Sequence, residues 1–337
     1  MSRLNRCGLV TIAALAFVPL ALPAATPTPA PQASRIASGV WLIPGGIAPG
    51  REPDGNSVLF AAPDGWVVMD TGRHAWHSQA ILDFVHASRQ PLAAIINSHW
   101  HLDHVSGNPT LRAAFPQLRV YASDAINGAL TGFLATSARD SAGYLDDATI
   151  PADTRADIRA DLATIQQGAA LKPDVTVRAS ATRTIAGRRF NVKLAPNAAT
   201  AGDVWIFDPR SGVAAVGDLV TLPAPFLDTA CPEGWLAALA QVAATPFMVA
   251  IPGHGHPLTP TQFADYTRAF AAFIACANSG TARTECAAQW TAAVQPLLDA
   301  DPQESQRAAG MAGYYVDVLR ANGGRSKYCA APPPSPH

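Results

Sequence analysis

The sequence predicts an α/β sandwich. Short apolar, strand-like runs alternate with helical segments, and they fall in two successive halves. Turn clusters at Pro53-Asp54-Gly55 and Pro63-Asp64-Gly65 punctuate the first half. A chain of 337 residues suits about two domains, or one large domain with insertions. With 49% hydrophobic and 15% charged residues it can bury a core and is not intrinsically disordered. Its 24 basic and 25 acidic residues create no field favouring DNA, RNA or an anionic membrane.

Taken in order, residues 1–25 read as a cleaved secretory signal. Arg3 and Arg6 precede a short apolar run, and the small residues Ala24 and Ala25 follow it. That run is shorter than the ~20 residues of a membrane span, so no stable membrane insertion is expected after cleavage. A Pro-rich linker is expected over 26–37. Strands are expected at 39–43, 57–61 and 66–69, a helix over 75–88, and a buried strand at 92–96 that runs into Asn97-Ser98-His99. Residues 123–172 read as a helical insertion over one face. Strands return at 175–178, 189–194, 204–208 and 213–216. A helix near 234–243 leads to a strand at 247–251. The 261–331 segment is helical, and 332–337 is a tail.

Cleavage would remove Cys7 and leave Cys231, Cys276, Cys286 and Cys329. An even count in an exported chain fits two disulfides, with three connectivities open; the short loop Cys276–Cys286 is the first expectation. A periplasmic or secreted location follows from the signal.

Three histidines fall in His99-Trp100-His101-Leu102-Asp103-His104, just after an expected strand. In extended backbone His99 and His101 project to one side, and the chain then curls so that Asp103 and His104 can aim elsewhere. Imidazole nitrogen and carboxylate oxygen are zinc ligands. No Gly-x-Ser-x-Gly elbow and no Gly-x-x-x-x-Gly-Lys loop is present, so serine-nucleophile and nucleotide chemistry have no support.

The His-x-His-x-Asp-His run after a strand resembles the signature of the metallo-β-lactamase fold superfamily. Asp70-Thr71-Gly72, Gly217-Asp218 and Pro252-Gly253-His254-Gly255 follow in the order of that superfamily's other motifs. The resemblance covers residues 38–260 and implies an αββα four-layer sandwich. It implies two adjacent metal positions: His99 and His101 in the first, Asp103, His104 and His254 in the second, and Asp218 bridging them. Asp70 would hydrogen-bond and orient the histidine loop. Asp103 would be catalytic, holding both the metal and the attacking water. The implied activity is that of a zinc-dependent hydrolase whose metal-bound hydroxide attacks an ester, thioester, lactone or β-lactam carbonyl of a small molecule, with no nucleic-acid partner.

One motif departs from the pattern. The third usually supplies a histidine, and here Ala199 stands in that place within Ala199-Thr200-Ala201-Gly202-Asp203. The first position is thereby impaired, so one zinc is expected, with a second conceivable. Asn197, His74, His77 and His256 are candidate substitutes. A degenerate periplasmic accessory protein that binds metal or ligand without turnover is the alternative. Trp41, Trp100, Phe226 and the segment 222–228 are candidate pocket walls.

Overall fold

The computed structural model describes residues 31–48 and 50–329; the expected signal lies outside the described residues. The first half contains β1 (Ser34–Ala37), β2 (Val40–Ile43), β3 (Ser57–Ala62), β4 (Gly65–Met69), helix α1 (Ala75–Ser88), β5 (Leu92–Ile96), α2 (Leu102–Val105), α3 (Asn108–Ala114) and β6 (Arg119–Ala122). The insertion follows as α4 (Ala125–Thr131), α5 (Phe133–Ala142), α6 (Ala152–Gln166) and α7 (Gly168–Leu171), and β7 (Val175–Thr176) completes the half. The second half contains β8 (Ala181–Ile185), β9 (Arg188–Pro196), β10 (Gly202–Asp208), β11 (Val213–Thr221), α8 (Pro232–Ala243) and β12 (Val249–His254). The C-terminal extension comprises α9 (Pro260–Ala277), α10 (Arg283–Val294) and α11 (Pro302–Ala321).

The strands form two sheets, ordered β1-β2-β3-β4-β5-β6-β7 and β12-β11-β10-β9-β8. Pairing is antiparallel from β1 to β4 and parallel from β4 to β7. In the second sheet only β11 and β12 are parallel. Alternation along the strands sorts side chains into layers. Val58, Phe60, Val67, Met69 and Ile96 face Phe190, Val192, Val204, Ile206 and Ile251 between the sheets. The opposite parity, Leu59, Trp66, Val68 and Ile95, lies under α1 with Ile81 and Val85. The outer face of the second sheet packs Trp205 and Phe207 against Trp235, Phe270 and Trp290 of the helices beyond. The result is the expected four-layer α/β/β/α sandwich.

Residues 34–37, expected to be linker, instead form β1, pairing antiparallel with β2. The Pro-rich composition hid it: four residues of mixed polarity carry little strand signal, and the partner strand supplies the hydrogen bonds. Strands β6 and β8 were likewise not expected; β6 is enclosed between parallel neighbours, which sequence periodicity does not reveal. Two disulfides are present: Cys276–Cys286, as the short loop suggested, and Cys231–Cys329, which ties the chain end to the start of α8. Among the described residues no helix is long and apolar enough to cross a membrane.

Candidate metal centre

The loops after β4 and β5 and the ends of β11 and β12 meet at one edge of the sandwich. Asp70 follows β4 with φ +62°, a left-handed conformation that aspartate tolerates better than most residues. Its carboxylate accepts from the Ser98 backbone N–H at 2.7 Å and from the Ser98 hydroxyl at 2.6 Å. The same carboxylate receives His104 Nδ1 at 2.9 Å, so His104 turns its Nε2 to the centre. The histidine loop is held further by Thr71, whose backbone N–H donates to the His104 carbonyl at 2.8 Å. Asn108 donates to Asn97 Oδ1 at 2.7 Å beneath the same loop. Asn56 donates to the Pro252 and Gly255 carbonyls at 3.0 and 2.9 Å, clamping the turn that carries His254.

His104 Nε2 lies 3.2 Å from His254 Nε2, 3.1 Å from Asp218 Oδ1 and 3.5 Å from Asp103 Oδ2. His254 Nε2 lies 2.9 Å from Asp103 Oδ2 and 3.6 Å from Asp218 Oδ1. Four donors around zinc at ~2.0–2.1 Å in a tetrahedron would be ~3.3 Å apart. These separations fit one divalent cation among Asp103, His104 and His254, and a second set of three donors, His99, His104 and Asp218, adjoins it and shares His104. Asp218 Oδ1 is buried without a hydrogen-bond partner among the described residues, a carboxylate oxygen aimed at the same point.

The other oxygen, Asp218 Oδ2, is 3.6 Å from His99 Nε2. His99 Nε2 is in turn 2.8 Å from His101 Nδ1. The surrounding hydroxyls assign the protons. Ser98 gives its hydroxyl proton to Asp70, so it accepts from His99 Nδ1 at 2.8 Å. Thr229 gives its proton to the Ala199 carbonyl at 2.9 Å, so it accepts from His101 Nε2 at 3.0 Å. Burial pushes the His99 pKa well below its usual value and that of His101 down to about 4, leaving both rings neutral. His99 Nε2 and His101 Nδ1 therefore point bare lone pairs at each other, closer than the ~3.3 Å of two donors on one zinc, so a cation held by both would spread the two rings apart. Asp218 thus reaches both groups, one oxygen to each.

The second group has the opposite titration. Burial opposes charge on His104, yet Asp218, Asp103 and Asp70 raise its pKa well above the usual value. Burial likewise opposes charge on His254, and Asp218 and Asp103 raise its pKa. Burial would raise Asp103, but His104 and His254 hold it well below the carboxylate range. In the metal-free protein, protons balance the two carboxylates; a metal ion would replace them.

Two glycines make the approach possible. A Cβ on Gly253 would lie 1.9 Å from Asp218 Oδ1, and one on Gly55 would lie 2.4 Å from the His104 ring. Neither substitution fits unless Asp218 or His104 moves.

The structure brings His99, His101, Asp103, His104, Asp218 and His254 together, with Asp70 behind them. It does not recruit three of the candidate substitutes for the third-motif ligand. His74 lies 2.8 Å from Asp54 and His77 2.8 Å from Ser57. His256 is exposed against Asp299. Asn197 sits in the β9–β10 turn at φ +52°. Ala199 is buried, and its contribution is its carbonyl, which orients Thr229. Thr229, Ser98 and Asn56 escaped the sequence reading. Ser98 adjoins the histidine run and could have been found there, whereas Thr229 is 128 positions from His101 and left no local signal.

Above the centre lies a cleft of about 440 Å³. Trp100, Phe226, Leu222, Pro223 and Ala224 line it as expected, while Trp41 packs on Trp66 and Phe84 away from it. Helices α5 and α6 of the insertion and α11 of the extension form further walls, through Phe133, Ile158 and Met311 among others.

A metal-fitting cluster at the edge of an αββα sandwich defines a class of metal-site proteins. The chain belongs to the metallo-β-lactamase superfamily, which it matches over residues 50–254. A linear primary-alkylsulfatase from Pseudomonas sp. (strain ATCC 19151) is 26% identical over 225 residues, covering 60% of this chain and 41% of the relative. The chain thus spans less than half the length of that relative. Among solved structures, the stereoselective inverting sec-alkylsulfatase Pisa1 from Pseudomonas sp. superposes with a TM-score of 0.59 at 18% identity, over 87% of this chain and 50% of that one. A metallo-beta-lactamase from Pontibacter korlensis gives 0.51 at 20% identity, over 69% and 95%. At these identities the two structures show the shared fold.

Proposed function

We propose that this chain is an exported, zinc-dependent hydrolase of small molecules. The convergence of Asp103, His104 and His254 on one point, with Asp218 and His99 against His104 beside it, carries the reading. Zinc, when bound, supplies Lewis acidity and brings the pKa of a water down to about 7. The chain's own residues do the rest. Asp70 fixes His104 in the Nδ1–H tautomer, and Thr229 fixes His101 with Nε2–H, so each ring keeps one nitrogen for the metal. Asp103 lines the cleft beside His254 and is held as a carboxylate, which suits it to hold the metal and orient a water. Helices α5, α6 and α11 enclose the reacting group and limit bulk water. The Asp103–His104–His254 group with Asp218 beside it supports one tightly held zinc, and the His99–His101 pair with Asp218 supports a weaker second. The two disulfides and the short apolar start of the chain support export.

Zinc per chain, measured by elemental mass spectrometry on protein purified without added metal, tests this reading. About one zinc with ester or lactone hydrolysis is the expected outcome. No zinc after dialysis against the metal would overturn it in favour of the accessory-protein reading, to which the alanine at the third motif lends its weight.

A further inference from the structure

The walls of the cleft select a substrate class, an inference that rests on the hydrolase reading of the same site. Near the centre the walls are aromatic. Phe226 meets His101 edge-on at 4.9 Å, Phe133 lies 5.5 Å from Trp100, and Tyr315 of α11 lies 6.1 Å from Phe226. Leu134, Ile158 and Met311 continue this surface outward. Such a lining binds a chain or ring by apolar contact.

Charge decides the rest. Outside the metal-facing side chains, the charged groups lining the cleft are Glu52, Arg73 and Asp161, and no lysine joins them among the described residues. Arg73 is already engaged: Nη1 pairs with Asp161 at 2.5 Å and Nε donates to the Pro53 carbonyl at 3.2 Å. Glu52 and Asp161 therefore outnumber the one cation, and that cation is neutralised. A carboxylate or sulfate carried on the distal part of a substrate would lose its hydration and find no countercharge. Burial also raises the Asp161 pKa to about 6, against the pull of Arg73, and the charges of Glu52, Asp157 and Asp103 push it the same way.

We infer that the cleft takes an uncharged ester or lactone bearing an apolar chain or ring, in preference to substrates with an anionic group away from the scissile bond. Hydrolysis adds water across the acyl C–O bond: the carbonyl carbon gains the hydroxyl, and the leaving alcohol gains the proton. The balance requires no further reactant.

The test uses the full chain in two forms. The zinc-loaded protein is offered p-nitrophenyl octanoate, its ω-carboxylate counterpart mono-p-nitrophenyl suberate, and p-nitrophenyl acetate. The expected kcat/KM for the octanoate exceeds that for the suberate by about tenfold or more. Phe133→Ala and Ile158→Ala should each lower the octanoate-to-acetate preference, by about tenfold for the phenylalanine. Glu52→Lys should narrow the octanoate–suberate gap. Equal or faster turnover of the suberate would overturn the inference and leave the hydrolase reading standing. The metal-free protein is titrated with 1-octanol and with octanoate, followed by tryptophan fluorescence. Preference for the alcohol without any turnover by the zinc form would sink the hydrolase reading alone. Binding of neither, with no turnover, would refute both.

Discussion

Thr229→Val removes one hydroxyl and tests the proton assignment in the His99–His101 pair. In the native structure this hydroxyl accepts from His101 Nε2 at 3.0 Å and donates to the Ala199 carbonyl at 2.9 Å. Both partners are buried, so the valine leaves a ring N–H and a carbonyl without partners, each costing ~1–3 kcal/mol. His101 can recover part of that cost by moving its proton to Nδ1, but Nδ1 is the nitrogen that faces His99. Metal held by the His99–His101 group should therefore weaken by about 10–100-fold, the usual effect of losing a hydrogen bond behind a ligand. The assay is a zinc titration of metal-depleted protein against a chelating indicator, resolving two affinities. The weaker should fall by that factor while the stronger, from the Asp103–His104–His254–Asp218 group, changes little. Thr229→Ser should restore the weaker affinity. Two unchanged affinities, or an equal loss at both, would refute the proton assignment on which the first group rests.

Gly253→Ala should displace Asp218 and lower both affinities together, because the new methyl would stand 1.9 Å from Asp218 Oδ1; loss of one zinc affinity with the other unchanged would argue against a shared carboxylate. Burial raises the Asp203 pKa to about 7, above its unfolded value, so the folded state holds a proton that the unfolded state releases first. Stability should consequently fall as pH rises from about 4 to 7, and Asp203→Asn should gain melting temperature relative to the parent over that window; parallel pH profiles would contradict this. Replacing Cys231 and Cys329 by serine opens a loop with a sequence separation of 98 residues. That should cost roughly 2–4 kcal/mol in denaturant unfolding, and an unchanged midpoint would show that packing alone holds the C-terminal segment.

Much of the centre was legible because its residues sit at strand ends beside local markers. His99, His101, Asp103 and His104 are contiguous, and Asp70, Asp218 and His254 each close or follow an apolar run flanked by glycine. A strand end fixes where the chain leaves the sheet, so order along the sequence translates into place at one edge. The sequence by itself therefore determined the sandwich, the ligand-type residues and the gap at Ala199. Only tertiary structure decided which side chains orient the ligand-type residues. Thr229, Ser98 and Asn56 act through hydrogen bonds to distant partners, and such pairings leave no periodic or local trace. The character of the cleft was equally invisible, since Arg73 is a free cation in the sequence and a neutralised one only when α6 brings Asp161 against it. Local chemistry is written in residue type and spacing, but the charge and proton state of a buried group depend on what the fold places around it.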